Sequence, residues 1–367
     1  MVADVTQVPD DPELLTLMLE DTRRASDIYK PTNYWAVYEK QFFPELQQQG
    51  LHNFRRRKFS ILSRFGATDL APVQFDFFKI RKLKKTSLPL SPLKCISFLN
   101  GLLNRMLHIK IPYSLKLKDL RRLAFQFVRL YGEKVGAKSI NEFEASLAGN
   151  PEDIIEMGGK MYTMSMLYYY MRYVYCCKFI NFDETKTWVE LGSGSGKQVE
   201  VIKKLHPDLS FLVFDIPPQL YVCHQYLSTV FPDSVISYKE TRDVNSISEP
   251  KKGKIFIFGN WKFPIIERLK TDLFWSAASF QEMEPDVAAN YLKYVNNVAN
   301  FVFLQQNMSG KRIAAKKWEP AVLKQTKLED YKAALTNFKL IDLSPSLKPT
   351  GDTLSGYSDS FWKRKGT

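Results

Sequence analysis

The segment Glu190-Leu191-Gly192-Ser193-Gly194-Ser195-Gly196 sets three glycines at alternate positions directly behind a short apolar run, Thr187 to Leu191. A loop free of Cβ atoms lets backbone lie close against a ligand, as a nucleotide-type cofactor requires. A second acid, Asp215, closes the next apolar run 23 residues after Gly192. An acid at that place can accept both hydroxyls of a ribose. Spacing excludes two of the three cofactor classes that use such loops. A P-loop would need glycine at 191 and Ser or Thr at 198, where this chain has Leu191 and Gln198. The dinucleotide fingerprint would put its third glycine at 197, which is Lys197.

The elements that must position the loop follow from hydrophobic pattern. TWVEL (187–191), a helix from Gly196 to Leu205 with Val199, Ile202 and Leu205 on one face, and SFLVF (210–214) make a parallel βαβ unit. Downstream the pattern predicts a helix over Gln219 to Phe231 and strand-like segments at Val235 to Tyr238 and Lys254 to Phe258, which compete for the third strand. A strand over Asp272 to Ala278, a helix from Pro285 to Val298 and a strand from Phe301 to Gln305 come next. A helix over Leu328 to Asn337 and a terminal strand pair, Phe338 to Leu343 and Tyr357 to Trp362, complete the alternation. The expected fold class is α/β, a doubly wound, seven-stranded, mostly parallel Rossmann-like sheet over residues 151–367, with a mainly helical region over 1–150. Helices are expected over Lys30 to Gly50, Cys95 to Leu107, Leu120 to Leu130 and Met161 to Cys176, with Ser87 to Pro92 as a connector and no strand before 187.

The 367 residues, 45% of them apolar, are ample for an ordinary core. Four cysteines without a C-x-x-C pair and four scattered histidines argue against a zinc site or a disulfide framework. The acidic start lacks a signal-peptide pattern, and Met161 to Cys177 is too short and polar to span a bilayer, so a cytoplasmic location is expected. The net charge of +13 is local: Arg55 to Arg122 holds 17 Lys and Arg against three acids, and the remainder is close to neutral. A solvated face, contact with anionic lipid or a phosphorylated saccharide, and RNA are the readings of that segment, in descending order. The expectation is a continuous cationic surface outside the cofactor sheet, peripheral to the inner face of the cell membrane.

The pattern E-x-G-x-G-x-G with an acid ending the next strand resembles motif I and the acidic motif of class I S-adenosylmethionine-dependent methyltransferases. Over most of its length the chain also resembles the sugar O-methyltransferase family of bacteria. That resemblance lies in Tyr34-Trp35, Gly50-Leu51-His52-Asn53-Phe54-Arg55, Gly149-Asn150-Pro151, the Tyr162-Thr163 to Tyr170 helix and Asp215-Ile216-Pro217. Most specific is Asp272-Leu273-Phe274 leading to Ala278-Ser279-Phe280-Gln281-Glu282-Met283. The resemblance implies S-adenosyl-L-methionine as cofactor and a sugar hydroxyl of a polysaccharide, glycolipid or glycosylated metabolite as acceptor. Glu190, Gly192, Ser193, Gly194, Gly196, Asp215 and Ile216 are then the cofactor-binding candidates. The methionine part would lie near Gly192 and Gly194, the ribose on Asp215 and one face of the adenine on Ile216.

Such a cofactor carries an activated methyl group, so the protein must align the attacking oxygen, exclude water and dispose of the hydroxyl proton. In an open α/β sheet these groups lie beyond the carboxyl ends of the strands. Gln281 and Glu282 follow the fourth strand and are the catalytic candidates, Glu282 as general base or as ligand of a divalent metal that acidifies the hydroxyl. The competing reading has Glu282 and Glu284 merely favouring the positive end of the helix at Pro285. Asn307 reads as a turn residue, His224 as a packed histidine and Tyr168 to Tyr170 as core. Two other functions stay open: an RNA or protein methyltransferase that holds a polyanion on the basic segment, and a non-catalytic binding protein of the same fold.

Overall fold

The computed structural model describes residues 6–57, 60–69 and 113–366. The run Lys79 to Lys85, the connector Ser87 to Pro92 and the helix expected over Cys95 to Leu107 lie outside the described residues. Asp11 caps the first helix, α1 (Pro12–Arg24), by accepting the Leu14 N–H at 2.9 Å, and Pro12 stands where a helix needs no donor. Helix α2 (Asn33–Gln49) buries Tyr34, Trp35, Tyr38, Phe42 and Leu46 on one stripe and ends at Gly50. After α3 (Tyr113–Val135) come two short antiparallel strands, β1 (Ile155–Met157) and β2 (Lys160–Tyr162). They correct the expectation of no strand before 187: three residues are too few for an alternation to register. Helix α4 (Met164–Cys176) follows, capped by Thr163.

The main sheet is built from β3 (Thr187–Leu191), β4 (Ser210–Asp215), β5 (Val235–Ile236), β6 (Ile255–Gly259), β7 (Thr271–Ala277), β8 (Ala299–Gln306), β9 (Phe338–Leu347) and β10 (Thr353–Arg364). Between them run α5 (Lys197–Leu205), α6 (Pro217–Val230), α7 (Tyr238–Thr241), α8 (Pro285–Val298) and α9 (Leu328–Ala334). Strand order is β5-β6-β4-β3-β7-β8-β10-β9, parallel from β5 to β8, with β10 antiparallel to both β8 and β9. This is the doubly wound Rossmann-like sheet, six parallel strands closed by an antiparallel pair, eight in all where seven were expected. Both competing segments are used: Ile255–Gly259 takes the third place and Val235–Ile236 adds a two-residue edge beside it.

Each inner strand is apolar on both sides, as a sheet covered on both faces demands. Trp188, Phe211, Val213 and Trp275 face one core, which α4, α5 and α6 complete. Val189, Leu212, Phe214 and Phe274 face the other, against α8 and α9. Leu14, Met18 and Phe42 of the N-terminal helices belong to the first of these cores, so the helical region is packed onto the sheet. Its basic segment does not begin as a charged surface. Arg55 is fully buried, its guanidinium paired with Asp69 at 2.5 Å and donating to the Ser146 and Ala148 carbonyl oxygens. An acid of the same segment neutralises it, which charge counting cannot reveal. No described helix is long and apolar enough to cross a membrane.

Candidate active site

Strand β3 is the switch point of the sheet. From it the chain winds one way through β4 and β6 and the other way through β7 and β8, so the loops leaving β3 and β7 face each other across a crevice. They approach so closely that a Cβ on Gly192 would collide with the Ser279 side chain, and φ at Gly192 is +83°. Gly196 serves differently. A Cβ there would lie 2.9 Å from the Leu227 side chain, so this glycine lets α5 pack on α6. Ala278, after β7, sits at φ +61°, a left-handed conformation that costs a non-glycine residue free energy and that clusters at functional sites.

The crevice opens into a cavity of ≈ 370 Å³ lined on the glycine-loop side by Glu190, Gly192, Ser193, Gly194 and Asp215. Asp215 accepts the N–H groups of Gly194 and Ile216, both at 2.8 Å. Its Oδ2 also accepts the Ser193 hydroxyl at 3.4 Å, so the lone pair left for a hydroxyl is on Oδ1. Burial pushes its carboxyl up to about 7 against these hydrogen bonds. Glu190 is buried to 2% exposure, and its Oε2 has no partner. Desolvation raises it to about 8, with Arg172 pulling the other way. Two glutamines missed in the sequence share this wall: both amide ends of Gln219 and the Oε1 of Gln198 are buried without a hydrogen bond. A signal existed, since each sits in the first turn of a helix that follows a strand end, where ligand-facing polar groups belong. Gly196 and Ile216 do not reach the cavity wall, because Gly196 packs on α6 and Ile216 is half-buried beside Asp215.

No family model matches the chain. No curated protein matches it either. Among solved structures it is similar to mitomycin 7-O-methyltransferase, at 14% identity and a TM-score of 0.35, over 53% of this chain and 57% of that one. It is similar to magnesium protoporphyrin IX methyltransferase of Synechocystis at 14% identity and a TM-score of 0.33, over 50% and 72% of the two chains. A S-adenosylmethionine-dependent methyltransferase of Clostridium acetobutylicum gives 11% and 0.36, over 55% and 92%. The match to the first of these spans little more than half of its length. The chemistry of the site is therefore read from its own residues.

The opposite wall carries Glu282, Lys311, Trp35, Tyr168, Tyr169 and Tyr357. Glu282 does not cap α8: its carboxylate is paired with Lys311, and the residue at the N-cap, Glu284, makes no capping bond with its side chain. Lys311 also donates to the Tyr34 hydroxyl at 2.9 Å and lies over that ring. Burial lifts the Glu282 carboxyl to about 7, which Lys311 and a hydrogen bond from Trp35 only partly offset. Burial pulls the Lys311 ammonium down, but Glu282 and Tyr34 hold it above the usual lysine range. The ammonium therefore stays charged while the carboxylate titrates near neutrality.

Gln281 is placed elsewhere. It is fully buried, donates to the Tyr357 hydroxyl at 2.7 Å and accepts the Asn307 N–H, which makes it a bolt between the turn after β7 and the sheet. It does not line the cavity. Asn307 is a turn residue whose side chain accepts the Ser309 N–H, and His224 is buried against Gln225. Tyr170 is core, bonded to the Lys138 carbonyl, whereas its neighbours Tyr168 and Tyr169 reach the cavity. Among the described residues no group of three His, Cys, Asp or Glu could hold a metal ion.

Proposed function

We propose that the chain is an S-adenosylmethionine-dependent O-methyltransferase whose acceptor is a sugar hydroxyl. The observation that carries this is the pairing, across one cavity at the switch point, of a buried carboxylate at Glu190, one of whose oxygens has no partner, with a carboxylate poised near neutrality at Glu282. The orphan Glu190 oxygen and the two free ends of Gln219 fit the ammonium and carboxylate of an amino-acid moiety, and Asp215 fits a ribose. When bound, S-adenosylmethionine supplies a methyl group on a positively charged sulfur, open to displacement by an oxygen.

The chain's own part is positioning and proton transfer. The Gly192 approach to Ser279 brings the β3 and β7 loops together, so a ligand on one lies beside groups on the other. Glu282 takes the hydroxyl proton on a carboxylate oxygen, with Lys311 and Trp35 fixing its orientation. The ammonium at Glu282 favours a base over a metal ligand, because a divalent cation there would be repelled. Trp35, Tyr168, Tyr169 and Tyr357 give the aromatic walls on which a sugar ring stacks and which keep water out.

Titration calorimetry with S-adenosylmethionine and its demethylated product tests the cofactor assignment. The wild-type chain is expected to bind, and Asp215→Ala to lose affinity by roughly tenfold to a hundredfold, the worth of a charged hydrogen-bond acceptor. No binding to wild type would overturn the proposal. Transfer of labelled methyl to RNA or protein, with none to saccharide, would retain the cofactor and remove the sugar.

A further inference from the structure

Three side chains in the loop between β8 and α9 stand out from the surface: Ile313 is 51% exposed, Trp318 54% and Leu323 50%, the highest values for large apolar residues among the described residues. The loop is nonetheless well fixed. Asn33 of α2 donates to the Glu319 and Ala321 carbonyl oxygens at 3.0 and 2.8 Å and accepts the Trp318 N–H at 3.2 Å. Ile313 and Val322 form a β-bridge, and Thr326 donates to the Met283 carbonyl at 2.7 Å. Trp318 is held outward at φ +72°, a conformation that strains a bulky residue. A rigid loop that displays apolar side chains in this way is a contact surface.

The charge around them is mostly positive, the acid beside Leu323 being Glu284, which accepts its N–H at 3.0 Å. Lys316, Lys317, Lys324 and Lys327 are exposed and enter no ion pair among the described residues, while the one acid between them, Glu319, is neutralised by Arg312. Lys40 of α2 lies over the Trp318 ring at 4.3 Å, adding a cation from a second element.

We infer that the Gly310–Lys327 loop docks on an anionic lipid surface, with Ile313, Trp318 and Leu323 entering the boundary of headgroups and acyl chains and the lysines on lipid phosphates. Buried apolar area plus basic residues is the combination that holds a protein in the interface plane, and Trp is favoured there for its amphipathic ring. RNA would engage the lysines but has no use for Ile313 and Leu323. The loop also delivers Lys311 to Glu282, so the lipid-facing surface adjoins the cavity. Docking needs nothing of the methyl-transfer proposal; only its corollary, an acceptor on a lipid carrier, rests on that reading.

Co-sedimentation of the full chain with neutral and anionic phospholipid vesicles tests the docking. Binding to anionic vesicles is expected, with fluorescence quenching by lipids brominated in the acyl chain that disappears on Trp318→Phe in a Trp261→Phe background, since Trp35, Trp188, Trp275 and Trp362 are buried and Trp261 is half-buried. Ile313→Asp with Leu323→Asp should lower partitioning by on the order of tenfold or more, with the melting temperature unchanged. Lys316→Glu with Lys317→Glu, a surface change that cannot disturb the core, should lower it comparably. Equal recovery on neutral and anionic vesicles would overturn the inference. So would unchanged vesicle binding in both double variants, which would assign lipid contact to the Arg55 to Arg122 segment, or binding to RNA alone.

Discussion

In the proposed reaction a carboxylate that takes a proton and an ammonium that keeps one are set side by side at Glu282 and Lys311, and their environments separate their tasks. Glu282→Gln preserves shape while removing the basic oxygen. Turnover is expected to fall on the order of 100-fold with cofactor affinity nearly intact, as single-turnover rates and calorimetry on one variant would record. Lys311→Met withdraws the charge that lowers the Glu282 carboxyl from where burial alone would put it. The acidic limb of the kcat/KM profile, expected near pH 7, should then move to higher pH. A limb that stays in place would detach Lys311 from the base. Glu282 was legible in the sequence, because a carboxylate following the fourth strand of an α/β sheet has to lie at the ligand edge. Its partner was not. Lys311 is one of six Lys and Arg in an irregular loop, where no periodicity tells which cation turns inward. Gln281 misled for a related reason: the position was right, but its bonds to Tyr357 and Asn307 depend on β10 and on the end of β8.

At the scale of elements, the segment 60–69 is clasped onto the glycine loop. Asp69, fully buried, pairs with Arg55 at 2.5 Å and with Lys197, the first residue of α5, at 2.9 Å. Burial opposes its charge, but the two cations outweigh that and hold its carboxyl down to about 2. The clasp sets Phe65 and Gly66 over the cavity. Asp69→Ala would strand two buried cations, and urea denaturation should show a loss of about 3–5 kcal/mol. Cofactor affinity should fall with it, because Phe65 and Gly66 lose their anchor. A loss below about 1 kcal/mol would mean that the loop is held some other way. The strands were readable where the clasp was not. Residues 187–191 and 210–214 are apolar runs buried on both faces, a local signature, whereas Arg55, Asp69 and Lys197 are brought together across 142 residues by tertiary packing alone. The hairpin of 155–157 and 160–162 left no periodic trace for the opposite reason, being shorter than one period of evidence.

Across the whole molecule, three strand ends deliver three carboxylates to one cavity, and burial raises all of them: Glu190 to about 8, Asp215 to about 7 and Glu282 to about 7. A carboxyl whose folded pKa lies above its unfolded value binds more protons in the folded state, so it contributes stability at low pH that is lost as pH rises. For Glu190 the window runs from about 4.5, its ordinary value, to about 8. The ligand-free protein should therefore melt at progressively lower temperature between pH 5 and pH 8, the direction opposite to that of a salt-bridged carboxylate such as Asp69. Asp153, raised to about 7 by burial and by Asp69, adds to the wild-type slope, so the decisive quantity is the difference between wild type and Glu190→Gln. The variant removes the orphan ionisable oxygen and should flatten the curve, gaining on the order of a few kcal/mol at the alkaline end relative to wild type. A cationic ligand reverses the same linkage, favouring the ionised acids and releasing protons as it binds. Calorimetry in buffers of different ionisation enthalpy reads that release directly. Parallel melting curves for wild type and Glu190→Gln, with binding heats independent of buffer, would show that Glu190 is ionised before the ligand arrives and that burial does not hold it protonated.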